Sequence, residues 1–243
     1  EPYDWLLFHE FAHEWFANQM TNRAPADMWL NEAMASYMEA LYLRDIAGED
    51  AYRSKLAEYQ ARIASRVAVA PRDAIDDGAY LGGGGWGTDI YFKGSWVLHT
   101  LRGLIGDEAF FASLTRLVYA TPEPKPGGIA PLLRDTDEFL TILEQESGCE
   151  LGWFFEAYLR QPALPRLSAT RNGQFLDLEW TVPGGLAFPM PIEVAAGGEV
   201  RVARFTDNRA RIDLGSEDAP YTLDPESRIL RALPPPAPSP APR

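Results

Sequence analysis

At Pro162 and Pro165 the chain changes its hydrophobic period, and no single regular architecture accommodates both sides of that change. Before it, apolar residues recur at helical spacing from Asp4 to about Ala120. A Pro/Gly connector covers residues 121–131, and two further short helical stretches reach Arg160. After it the period is two: Leu176, Leu178 and Trp180 alternate with Phe175, Asp177 and Glu179, and residues 199–205 and 209–214 alternate likewise. Asn172-Gly173, Gly184-Gly185, Gly197-Gly198 and Asp207-Asn208 supply the turns between them. The expectation is an α+β chain. A mainly helical domain takes residues 1–163, a small antiparallel β-sandwich takes 164–233, and a proline-rich tail takes 234–243.

With 46% hydrophobic and 12% aromatic residues among 243, both parts can bury a core. Thirty-five acidic residues against 22 Lys and Arg leave a net charge of −13, which opposes binding to nucleic acid or to an anionic membrane surface. No apolar run is long enough to span a bilayer. Cys149 is the only cysteine, so an intrachain disulfide and a Cys-rich zinc site are both excluded. The chain starts at Glu1 without an initiator Met, which reads as an excised piece of a longer protein; its compartment is not legible.

The segment His9-Glu10-Phe11-Ala12-His13 carries the chemistry. On a helix, residues i and i+4 share a face, so both imidazoles reach one cation, and Glu10 lies beside them. The bland alternative is a helix with two ordinary polar histidines, and a third ligand decides between the two. Six residues after His13 stands Gln19, not a histidine, which removes one zinc-protease class. Glu32 is the other candidate, with 18 residues between it and His13. A catalytic zinc site uses three such protein ligands and one open position.

HExxH followed after 18 residues by Glu32, in an Asn31-Glu32-Ala33 context, resembles the gluzincin clan. More narrowly, residues 7–18 followed by Trp29-Leu30-Asn31-Glu32 resemble the M1 family of zinc aminopeptidases. Ala17 and Ala33 stand where that family usually has Gly. The resemblance implies a thermolysin-like helical subdomain, one catalytic Zn2+ on His9, His13 and Glu32, and Glu10 as general base toward a metal-activated water. It also implies that Tyr91, in Tyr91-Phe92-Lys93-Gly94, donates a hydrogen bond to the oxyanion. Glu39, seven residues beyond Glu32 on the same helix face, is expected to orient a ligand histidine through its second N–H. His99 is expected to pack or face solvent.

The family's Gly-x-Met-Glu-Asn motif, whose Glu grips the free amine of the substrate, is absent from the chain, as is the N-terminal β domain. Leu6, Leu7, Phe8, Phe11, Trp15 and Phe16 surround most of the first helix, so one apolar side of it is expected to lie uncovered. The expected function is removal of the N-terminal residue from peptides with a free amine. The alternatives are a thermolysin-type endopeptidase, or a non-catalytic fragment acting as a binding module. The acidic balance is expected to make the cleft attractive to an amine. The glycine run at 82–85 reads as a flexible connector and not as a phosphate cradle.

Overall fold

The computed structural model describes residues 4–73, 87–127 and 130–233; the glycine run and the proline-rich tail lie outside them. The chain divides into two compact units, one of residues 1–163 with 226–229, the other of 164–225 with the chain from Leu230. Among the described residues the first unit holds seven α-helices and one pair of short strands.

Helix α1, Trp5–Ala12, starts where the Asp4 carboxylate accepts from the Leu7 N–H at 3.0 Å. The helical pattern suggested that α1 continues through Trp15 and Phe16, but the α-helix stops at Ala12. A kinked segment follows over Glu14–Gln19, its backbone non-helical at Phe16 (φ −108°, ψ 52°) and Ala17 (φ 178°, ψ −42°). Phe16 is buried, whereas Trp5, Leu6, Leu7, Phe11 and Trp15 are exposed, so the uncovered apolar side expected of this segment is present.

Helix α2, Trp29–Ala47, runs through the middle of the unit. From Trp29 to Ala40 ten of its twelve residues are buried, on every side of the helix, as a central helix requires. Its start is held by side chains. Trp29 Nε1 donates to Thr136 Oγ1 at 2.9 Å, and the buried Asp27 carboxylate accepts from both the backbone and the hydroxyl of Thr136. Helices α3 (Glu49–Arg62), α4 (Phe92–Ile105), α5 (Asp107–Tyr119), α6 (Thr136–Ser147) and α7 (Gly152–Tyr158) complete the unit. Helix α6 opens on a capping box in which Asp135 and Glu138 each bond the other's backbone N–H.

The strands β1 (Met20–Asn22) and β2 (Leu132–Arg134) pair in parallel across more than a hundred residues. The helical reading did not contain them: three residues show no period of two, and their pairing depends on the tertiary fold. Helices α2 and α4 pack along one another, α3 lies against both, and α6 packs on α5.

The second unit is antiparallel throughout its described residues. Its strands β3 (Arg166–Asn172), β4 (Phe175–Thr181) and β7 (Arg209–Asp213) form one sheet; β6 (Glu199–Ala203), β5 (Ile192–Ala196) and β8 (Tyr221–Leu223) form the other. Leu176, Leu178 and Trp180 are buried and their neighbours Phe175, Glu179 and Thr181 exposed, the alternation legible in the sequence. Gly197-Gly198 joins β5 to β6 with φ of 60° and 81°, the conformation a two-residue hairpin demands. Asp207-Asn208 adopts the same left-handed pair without glycine, and Asn208 Oδ1 accepts from the Phe188 N–H at 2.7 Å.

Candidate metal centre

Two helices deliver the ligand candidates. His9 sits in α1, His13 caps its C-terminal end, and Glu32 occupies the first turn of α2. Glu32 Oε2 lies 3.4 Å from His9 Nε2 and 3.6 Å from His13 Nε2, and one donor atom from each of the three falls within 4.8 Å of the others. Bonds of ~2.0–2.1 Å in a tetrahedron separate neighbouring ligand atoms by roughly 3.3 Å, so the two measured spacings fit a zinc ion with little adjustment. The donor set, two imidazoles and one carboxylate, is also one that zinc accepts.

The kink at Phe16 and Ala17 bears on this arrangement. His13 Nδ1 lies 3.1 Å from the Phe16 carbonyl oxygen, which can only accept. Nδ1 therefore carries the proton, and the Nε2 lone pair is left for a metal. The break in the helix after Ala12 thus has a local use: it turns the Phe16 carbonyl toward the imidazole.

The same residues open into a cavity of about 560 Å³ lined also by Glu10, Ser36, Glu39 and Tyr91. Glu10 is exposed to that cavity, on the turn between the two histidines. The Tyr91 ring centroid lies 6.1 Å from that of His9. Burial, then the negative charges of Glu32 and Glu10 and a hydrogen bond to Glu32, push the Tyr91 phenol above its ordinary pKa. It therefore keeps its proton, and its capacity to donate, at neutral pH.

Glu39 is buried in the same cavity wall. Its Oε1 pairs with Lys55 Nζ at 2.8 Å and its Oε2 accepts from Tyr59 at 2.9 Å. Lys55, Glu58, Tyr59 and Arg62 form the α3 wall, and the sequence singled out none of them, because α3 reads as an ordinary surface helix. Four carboxylates, Glu10, Glu32, Glu39 and Glu58, face Lys55 and Arg62, leaving two negative charges in excess. A divalent cation held by the three ligand candidates would neutralise that excess.

His99 lies away from the centre, as expected. Its Nε2 is 3.1 Å from the Ser227 carbonyl and its Nδ1 is 2.7 Å from the Tyr52 hydroxyl, while Tyr52 meets Tyr37 at 3.1 Å.

Residues 4–158 match the family model described as the peptidase family M1 domain. Aminopeptidase N of Lactococcus lactis subsp. lactis is 30% identical over 179 residues, 68% of this chain and 19% of the relative. Aminopeptidase N of Lactobacillus delbrueckii subsp. lactis is 28% identical over 236 residues, 87% of this chain and 27% of the relative. Among solved structures, an M1 zinc metallopeptidase of Deinococcus radiodurans bound to a Tyr-Ser-Ala substrate is 26% identical, with a TM-score of 0.52 over 67% of this chain and 34% of that one. Aminopeptidase A of Legionella pneumophila in complex with aspartic acid shares the fold, with a TM-score of 0.68 over 90% of this chain and 25% of that one at 17% identity. The chain spans about a fifth to a quarter of the length of these two curated relatives.

Proposed function

Because the chain belongs to peptidase family M1, we propose that it removes the N-terminal residue from peptides, using the cavity around His9, His13 and Glu32. The observation that carries this reading is the convergence of two imidazoles and a carboxylate at ligand spacing with Glu10 and Tyr91 lining the same cavity. His9, His13 and Glu32 would hold one zinc ion, which when bound supplies Lewis acidity to the scissile carbonyl and to the attacking water. The Glu10 carboxylate accepts the proton of that water and passes it to the departing amine. The Tyr91 hydroxyl donates to the carbonyl oxygen as it becomes an oxyanion, and its raised pKa keeps the proton available. Glu39 holds Lys55 and Tyr59 in the wall, so it shapes the α3 side of the cavity.

The test pairs metal content with turnover of aminoacyl arylamides. Wild type binds one zinc per chain, and Glu10→Gln retains that zinc while losing activity by at least about 10³-fold. Tyr91→Phe lowers kcat on the order of 10²–10³-fold with a smaller change in KM. An active Glu10→Gln enzyme removes the base assignment; cleavage of internal peptide bonds without a free amine removes the exopeptidase reading.

A further inference from the structure

Gly94 lies inside α4, three residues after Tyr91, in ordinary helical conformation. A glycine there costs about 1 kcal/mol relative to alanine, and no positive φ requires it. What requires it is space. A Cβ at position 94 would stand 2.5 Å from the Cβ of Ala33 and 3.7 Å from its Cα. Ala33 in turn directly follows Glu32 on α2, and both 33 and 94 are fully buried in the helix contact. Ser95 closes the junction: its hydroxyl lies 3.1 Å from the Ala33 carbonyl and 2.7 Å from the Tyr91 carbonyl. One helix of this crossing therefore carries Tyr91 and the other carries Glu32.

We propose that Ala33 and Gly94 act as a one-methyl spacer whose thickness sets the position of the Tyr91 hydroxyl relative to the metal-ligand cluster. Carbon atoms rest at roughly 3.5–4.0 Å, so a second methyl in this contact demands a separation of α2 and α4 by about 1 Å. Lys93 limits where α4 can go instead. Its buried ammonium donates at 2.8 Å to the carbonyls of both Gln161 and Pro162. Tyr91, at the N-terminal end of α4, is carried by any such shift. Ala33 and Gly94 are positioning residues: they touch neither substrate nor metal. The inference rests on the aminopeptidase reading for its kinetic consequence, and on geometry alone for the displacement.

The experiment compares wild type, Gly94→Ala, Ala33→Gly and the Ala33→Gly/Gly94→Ala exchange. In crystal structures of the full chain, Gly94→Ala moves the Tyr91 hydroxyl away from the Glu32 carboxylate by about 1 Å, and the exchange returns it. Ala33→Gly alone moves it the opposite way. In kinetics, Gly94→Ala lowers kcat on the order of 10²-fold with KM within about 3-fold and zinc content unchanged, and the exchange recovers most of the loss. In a Tyr91→Phe background the Gly94→Ala effect disappears. A Gly94→Ala protein with Tyr91 in its original place overturns the proposal, as does an undiminished effect in the Tyr91→Phe background. If Gly94→Ala does not fold, the exchange and Ala33→Gly carry the same comparison, and an unmoved Tyr91 in Ala33→Gly overturns it. Zinc-loaded wild type with no arylamide turnover would refute the activity reading, leaving the displacement to be judged from the structures.

Discussion

Replacing His99 with Asn should flatten the acid limb of the protein's stability curve. His99 joins a hydrogen-bond chain whose direction is fixed at both ends. The Ser227 carbonyl can only accept, so His99 Nε2 holds the proton and Nδ1 accepts from Tyr52. Tyr52 in turn accepts from Tyr37, and Tyr37 accepts from Arg102, which cannot reverse. Protonating His99 would turn Nδ1 into a donor, reverse both tyrosines and leave the Tyr37 proton facing a guanidinium. Burial is the largest cause lowering the His99 pKa, to about 4 from 6.5, and the charges of Arg102, Arg228 and Arg53 add to it against a hydrogen bond that raises it. Glu49, Arg44 and Asp107 complete the charged lining of the adjoining cavity. Because the folded-state pKa is depressed, the unfolded chain takes up the proton first as pH falls. The contribution of the neutral imidazole is complete above about pH 6.5 and is lost as pH falls to about 4. A difference of 6.5 against about 4 corresponds to about 3 kcal/mol. Urea unfolding with EDTA present throughout, from pH 7.5 to 4, makes metal release common to both proteins. Wild type should lose about 3 kcal/mol more than His99→Asn across that range. Parallel curves would refute the chain of donors.

Lys93 should give the mirror window in base: burial lowers its pKa to about 8 from 10.5, so the unfolded chain holds the extra proton between those values. Wild-type stability should rise relative to Lys93→Met by about 3 kcal/mol from pH 8 to 10.5 in urea titrations, and a constant gap counts against a buried ammonium. Glu32→Gln should weaken zinc binding at least about 100-fold in chelator competition while leaving the circular dichroism of the helices intact. Removing zinc from wild type with 1,10-phenanthroline should abolish arylamide turnover reversibly, restored by one equivalent of Zn2+.

The parts of the centre that the sequence disclosed are those where chemistry is local. His9 and His13 share a helix face at four residues' spacing, and the period-two alternation of 175–180 maps onto β4 residue by residue. Glu32 and Tyr91 came from motif spacing, which compresses tertiary information into a pattern. What stayed hidden depends on partners distant in the chain. Lys55 and Tyr59 belong to the cavity only because α3 lies against α2, and their own helix offers no sign of it. The three-residue strands β1 and β2 have no period to read. Gly94 reads as a weak point in a helix until Ala33 is seen opposite it.

Helical and β parts also do not divide at a single cut. After the strands, the chain returns residues 226–229 to the helical unit. Glu226 pairs with Arg53 there, and Ser227 supplies the carbonyl that His99 bonds. The β unit is therefore an insertion between two portions of its neighbour, and this matters during vectorial synthesis. When residue 163 leaves the ribosome, the helical unit still lacks Glu226 for Arg53 and the Ser227 carbonyl for His99. It reaches its final form only after Ile229 has emerged, with the β-strands already made.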